Sequence, residues 1–155
     1  MERTVIYHLQ QPSNRTCMST VIAMISGRSV HEVIDTYDHE FCARNIWYDR
    51  PLRDYGITYL RGHLDRADLM SGFAHLLTVP SLNIPGDFHA VLLVWAIDQE
   101  NPIVLDPNYL RDGKRYYVFE ASPDEPMAHT LINWRVDVYI PLLQQGIGLE
   151  VERGF

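Results

Sequence analysis

Phe88-His89-Ala90-Val91-Leu92-Leu93-Val94-Trp95-Ala96-Ile97 is an almost unbroken apolar run. A strand of this composition has no polar face to leave in water, so it must be buried on both sides of a sheet. Its only strongly polar residue, His89, stands near its start, where a strand still opens onto a cleft. The next apolar run, Ile103-Val104-Leu105, ends at Asp106, and Pro107-Asn108 follow. A register that sets His89 directly across from Asp106 centres the connecting turn between Ile97 and Asp98. The polar cluster Asp98-Gln99-Glu100-Asn101 centres it about two residues later, so the hairpin is expected to carry a wide loop or a bulge.

Upstream, Gln11-Pro12-Ser13-Asn14-Arg15-Thr16-Cys17 leads into Met18-Ser19-Thr20-Val21-Ile22-Ala23-Met24-Ile25. Met18, Val21, Ile22 and Ile25 recur at helical spacing, and Gly27 stops the run. Cys17 therefore falls in the first helical turn, where the positive end of the helix dipole favours an anion. A neutral thiol is a poor nucleophile and needs a basic neighbour or such a helix terminus. The chain thus supplies, in order, an amide, a thiol, an imidazole and a carboxylate, the set that nucleophilic attack on a carbonyl requires. Gln11, six residues before Cys17, can turn back through Pro12-Ser13-Asn14, and its amide with the Cys17 backbone N–H would make two oxyanion donors. Gln10 is the neighbouring candidate for that role, and Asn108 the alternative orienter of the imidazole.

This arrangement resembles the papain-like cysteine peptidases, and most closely the branch of bacteriocin leader-processing (double-glycine) peptidases. That branch shares the glutamine six residues before the cysteine, the helix running from the cysteine, the histidine opening an apolar strand and the Asp-Pro pair ending the next. The resemblance covers roughly residues 5–120. It implies Cys17 as nucleophile, His89 as general base and then acid, Asp106 as orienter of the imidazole, and Gln11 as oxyanion donor. The function so implied is a thiol hydrolase cleaving a peptide or isopeptide bond of a peptide or protein substrate, with no cofactor and no metal. A deamidase or transglutaminase acting on a protein side chain would use the same acyl-enzyme. A catalytically silent binding or effector protein would keep the fold alone.

With 155 residues and 46% hydrophobic content, the chain holds material for one core, and a single papain-like domain is expected over 1–155, with its core at about 5–141 and a tail at 142–155. A formal net charge of −7 without a Lys/Arg run argues against nucleic-acid binding, because phosphate affinity needs clustered cations. Apolar stretches near ten residues and an N-terminus without a basic-then-apolar pattern predict neither membrane insertion nor secretion, so the cytoplasm is the expected location. There Cys17 and Cys42 remain free thiols. His31, His39, Cys42 and His63 lack the density of a zinc motif.

The remaining elements follow from local signals. Thr4 to Leu9 reads as an edge strand. Ser29-Val30-His31-Glu32 fits a capping box, with Val30, Val33, Ile34 and Tyr37 at core spacing behind it. Pro51 to Tyr55 before Gly56 suggests a short third helix, and Asp65 caps a fourth running through Leu77. Asp112-Gly113 reads as a tight hairpin turn into a strand Lys114–Glu120, and Asn133–Ile140 alternates its faces as another. Trp47, Tyr48, Tyr55 and Tyr59 are candidates for the cleft wall or for ordinary packing. Gln144 to Phe155 reads as a loose tail or a partner-contact segment. The class expected is α+β, with N-terminal helices packed on a C-terminal antiparallel sheet and the site in the cleft between them.

Overall fold

The computed structural model describes residues 4–63, 68–142 and 149–153. It is a mixed helix and sheet fold. In chain order it holds β1 (Thr4–His8), α1 (Cys17–Ser26), α2 (Val30–Val33), a π-helical segment (Ile34–Asp38), α3 (His39–Cys42), α4 (Asp49–Asp54) and β2 (Leu60–Arg61). There follow β3 (Phe73–Pro80), β4 (Phe88–Trp95), β5 (Ile103–Leu105), β6 (Tyr116–Val118), β7 (Ala128–Thr130), β8 (Arg135–Pro141) and β9 (Leu149–Arg153).

Five strands form an antiparallel sheet in the order β2-β8-β3-β4-β5. The apolar run from Phe88 forms β4, and it is buried on both faces. Ala90, Leu92 and Val94 pack with Val21, Ile22 and the other helical residues in one core. Val91 and Leu93 join Leu77, Val79, Val136 and Leu131 in a second core on the other face. The absence of a polar stripe in the sequence is thus explained by two hydrophobic layers.

α1 begins at Cys17 and ends where Gly27 adopts a left-handed φ of 72°, its N–H bonding the Ala23 carbonyl at 3.1 Å. Glycine takes this conformation without the Cβ penalty other residues meet. At α2 the Ser29 hydroxyl accepts from the Glu32 N–H at 3.1 Å. The reciprocal half of the capping box is replaced by a Glu32–Arg28 contact at 3.5 Å.

Three expectations are corrected. The helix through Leu77 is absent: Asp65 lies outside the described residues, and Phe73–Pro80 is β3, the strand between β4 and β8. Leu76 enters one core and Leu77 the other, so a short apolar run that suits either state became a strand buried on both sides. The Asp112-Gly113 turn forms, with the Lys114 N–H on the Arg111 carbonyl at 3.1 Å. However, β6 pairs in parallel with β7 in a separate two-stranded sheet and does not pair with β5. Within the tail, Leu149–Arg153 is a strand paired in parallel with β1, while 144–148 and 154–155 lie outside the described residues. The helices, within Cys17–Asp54, precede all strands of the five-stranded antiparallel sheet, which lie within Leu60–Pro141, as expected of an α+β chain.

β8 carries a further irregularity. Leu76 pairs with Val138 but Leu77 with Val136, so Asp137 is the extra residue of a β-bulge. Strict alternation would put Val136 and Val138 on one face; the bulge sends Val136 to one core and Val138 to the other. This is the effect of a one-residue slip confined to one position. Gly62 donates to the Asp137 carbonyl at 2.8 Å. A Cβ on Gly62 would lie 1.9 Å from the Val136 carbonyl oxygen, which no backbone tolerates.

His75 is fully buried on β3. Its Nδ1 bonds the Leu93 carbonyl at 3.2 Å and its Nε2 accepts from the Met70 N–H at 2.9 Å. Burial pushes its pKa down to about 4, against the smaller opposing effect of the Leu93 carbonyl. The unfolded chain takes up this proton near pH 6.5 while the folded chain resists it to about 4. Stability is therefore complete above pH 6.5 and falls as the pH drops through that window, by about 3 kcal/mol. Urea unfolding between pH 7 and 4.5 should show this fall, and His75→Gln should flatten it; parallel profiles for the two proteins would refute the assignment.

Candidate active site

The N-terminus of α1 meets the sheet at the start of β4. Cys17 and His89 line a common cleft of about 610 Å³ between the helices, the 44–48 loop and the edge formed by Thr78, Phe88 and Arg135. Cys17 is half-buried, and Thr16, at the N-cap of α1, gives no side-chain cap. The Thr16 hydroxyl is occupied with Ser13, accepting from its N–H at 3.2 Å and donating to its carbonyl at 3.0 Å. The first-turn N–H groups, which have no intrahelical acceptor, therefore remain available beside the sulfur.

His89 Nε2 bonds Asp106 Oδ1 at 2.6 Å, and both residues are buried. This bond leaves Nδ1 as the ring nitrogen for Cys17. Burial opposes charge on the ring. The Asp106 charge and hydrogen bond outweigh it, with a smaller hydrogen bond and charge interaction from Cys17, and the pKa is pushed up to about 10. The imidazolium is thus the stable form at neutral pH.

Asp106 does not face His89 across the hairpin. The observed register pairs Leu92 with Leu105 and Val94 with Ile103. Continued by one residue it would set Asp106 opposite Val91, within diagonal reach of His89. The chain leaves β5 there and turns, with the Tyr109 N–H on the Asp106 carbonyl at 2.9 Å. The carboxylate is held by three groups. Oδ1 accepts from His89 and from the Asn108 N–H at 2.8 Å, and Oδ2 accepts from the Tyr117 N–H at 2.7 Å. Asn108 turns its own Oδ1 to Arg111 at 2.7 Å, so the orienter of the imidazole is Asp106.

Gln11 is buried, and its backbone N–H bonds the Pro107 carbonyl at 2.9 Å, tying the segment before α1 to the segment after β5. Its Nε2 donates to the Ser13 carbonyl at 2.7 Å, its Oε1 is buried without a partner, and it is not among the residues lining the cleft. One amide hydrogen remains. Gln10 turns away, its Nε2 on the Tyr109 carbonyl at 3.1 Å.

Several residues of the cleft carried no chemical motif in the sequence. Asp137, aimed by its bulge, accepts from the Thr78 hydroxyl and from Arg135 Nε at 2.9 Å. Arg44 sits at φ 58°, after α3, where its N–H bonds the Phe41 carbonyl and the Asn45 N–H bonds the Glu40 carbonyl. This is a Schellman end with arginine in the position glycine usually takes. Of the four candidate aromatics, Trp47 and Tyr48 line the cleft. Tyr55 packs edge-on against Tyr37, with the Arg28 guanidinium over its ring. Among the described residues no three His, Cys, Asp or Glu side chains come together as a metal-binding set, and no helix is long and apolar enough to cross a membrane.

Comparison with known protein families, with curated proteins and with solved structures finds no match.

Asp106→Asn keeps the shape of the carboxylate but turns an NH₂ toward the Tyr117 N–H and removes the charge that holds the imidazolium. Loss of about 2–4 kcal/mol of stability is expected. NMR titration of the His89 ring should show the imidazolium persisting beyond pH 8 in the parent and deprotonating at a lower pH in the variant. An unchanged titration would refute the coupling.

Proposed function

We propose that this chain is a papain-like cysteine hydrolase acting on a peptide or isopeptide bond. The observation that carries the reading is the Cys17–His89–Asp106 array: an imidazole anchored by a buried carboxylate on one nitrogen, with a helix-terminal thiol in the same cleft.

The chemistry follows from that geometry. The reactive form is the thiolate at the N-terminus of α1 opposite the His89 imidazolium. The sulfur attacks the substrate carbonyl carbon, a C–S bond forms, and the carbonyl π pair moves to oxygen. The Cys17 backbone N–H and the remaining amide hydrogen of Gln11 are the donors proposed for that oxyanion. Collapse expels the amine, which takes its proton from His89 Nδ1. Neutral His89 then removes a proton from water, the hydroxide attacks the thioester, and the thiolate leaves to restore the ion pair. Throughout, Asp106 fixes the ring through Nε2.

The cleft suits a peptide. Its apolar wall is built by Met18, Phe41, Ile46 and Trp47, and Phe88, next to His89, is 72% exposed at its mouth. An exposed aromatic beside the reactive pair offers contact area for a substrate side chain. Two free thiols suit a reducing compartment, and the cytoplasm is the location we propose.

Cys42 supplies an internal control. It is exposed, its thiol donates to Asp38 at 3.6 Å, and partial burial followed by the Asp38 charge raises its pKa. Iodoacetamide at pH 6, read by peptide mass spectrometry, should label Cys17 at least about tenfold faster than Cys42, and His89→Ala should erase the difference. Equal labelling of the two cysteines in the parent protein would end the hydrolase reading. Cys17→Ala should abolish turnover of any peptide substrate while changing the unfolding midpoint little.

A further inference from the structure

Among the described residues, Tyr48 is the one buried polar side chain of the cleft whose hydrogen-bonding group has no partner. Thr78, Asp137 and Arg135 satisfy one another, and His89 is bound to Asp106. Tyr48 is 2% exposed, its ring fixed against Phe41 and Trp47 at centroid distances of 6.0 and 5.8 Å. The residue belongs to the main core, and its carbonyl accepts the Leu52 N–H at 3.1 Å at the start of α4. Its hydroxyl makes no hydrogen bond among the described residues, yet it is not one of the polar atoms sealed from solvent without a partner. The oxygen is therefore not wholly sealed, and Tyr48 lines the cleft that holds Cys17.

An O–H that no protein group accepts from is free to donate to whatever occupies the space it meets. Neither Cys17 nor Asp137 accepts from it. Cys17 and Asp137 act on the phenol through charge alone, without a hydrogen bond, and with burial as the larger cause they raise its pKa well above the ordinary value. The hydroxyl thus stays protonated at any working pH, in a residue that shares its cleft with the sulfur and is not bonded to it. That relation is what a donor to the carbonyl oxygen needs, because this oxygen is bonded to the carbon that the sulfur attacks. Gln11 has only one amide hydrogen left for that oxygen, having given the other to Ser13, so a further donor adds to it.

Resting on the hydrolase reading above, we infer that the Tyr48 hydroxyl is a catalytic oxyanion donor, bonding the substrate carbonyl oxygen as it gains charge during attack by Cys17. The sulfur–carbon bond forms, the π pair moves to oxygen, and the Tyr48 O–H strengthens its bond to that oxygen without transferring its proton. Rigid packing of the ring fixes the donor before the substrate arrives, the condition under which such donors contribute most.

Two reactions of Cys17 separate this role from a structural one. Alkylation by iodoacetamide displaces iodide at carbon and forms no oxyanion. Acylation by p-nitrophenyl acetate forms one, and is read by nitrophenolate release and by the acetyl mass on the Cys17 peptide. Tyr48→Phe keeps the ring packing and removes only the hydroxyl. The expected result is acylation slowed at least about tenfold with alkylation within about twofold of the parent. Acylation at the parent rate, or an equal fall in both reactions, overturns the assignment while leaving selective Cys17 alkylation, and with it the hydrolase reading, intact. Parent protein with no preferential Cys17 alkylation overturns the hydrolase reading, and Tyr48's role with it.

Discussion

The buried carboxylate of Asp106 is the constraint on which the site depends. At 1% exposure it is surrounded by three donors, the His89 ring and the N–H groups of Asn108 and Tyr117. Its backbone carbonyl takes two more, His8 Nε2 at 2.8 Å and the Tyr109 N–H. One residue thereby joins β1, β4, the turn after β5 and β6. A carboxylate so enclosed is affordable only when its donors are all in place. The imidazole is one of those donors, and in its charged form it also offsets the buried negative charge.

The opposite wall of the cleft is set by a different device. The bulge at Asp137 reverses which core each following residue of β8 enters, and it brings a buried carboxylate into contact with Thr78 and Arg135. Gly62 must approach this strand closely enough that no side chain fits. The left-handed arginine at 44 turns the chain into the loop that carries Trp47 and Tyr48. Local irregularities of this kind cost stability, and two of them, the bulge and the left-handed Arg44, carry residues of the cleft.

Much of this was legible from local signals. The Cys17 helix, its Gly27 stop, the Ser29 cap and the β4 run each rest on contacts within a few residues, where spacing and turn chemistry carry the information. The hairpin between β4 and β5 was legible in kind but not in register. The observed pairing falls midway between the register that aligned His89 with Asp106 and the one the polar loop suggested. The mismatch is absorbed because Asp106 lies beyond the last pair and reaches His89 diagonally. β3 was misread because His75-Leu76-Leu77-Thr78 is too short for periodicity to separate helix from strand, and the parallel pairs β1–β9 and β6–β7 join segments with no local signal between them.

The sequence by itself determined which groups are available: a thiol at a helix start, an imidazole at the mouth of a doubly buried strand, and a carboxylate held next to a proline-directed turn. Those properties depend on residue type and near neighbours. Tertiary structure alone decided which of them meet, that Gln11 is tied to Ser13 and Pro107, that Asp137 turns into the cleft, and that the Tyr48 hydroxyl is left without a partner. These outcomes depend on strand register, on a one-residue bulge and on the packing of two cores against one sheet. All three are set by contacts between residues far apart in the chain, so no window of sequence contains them.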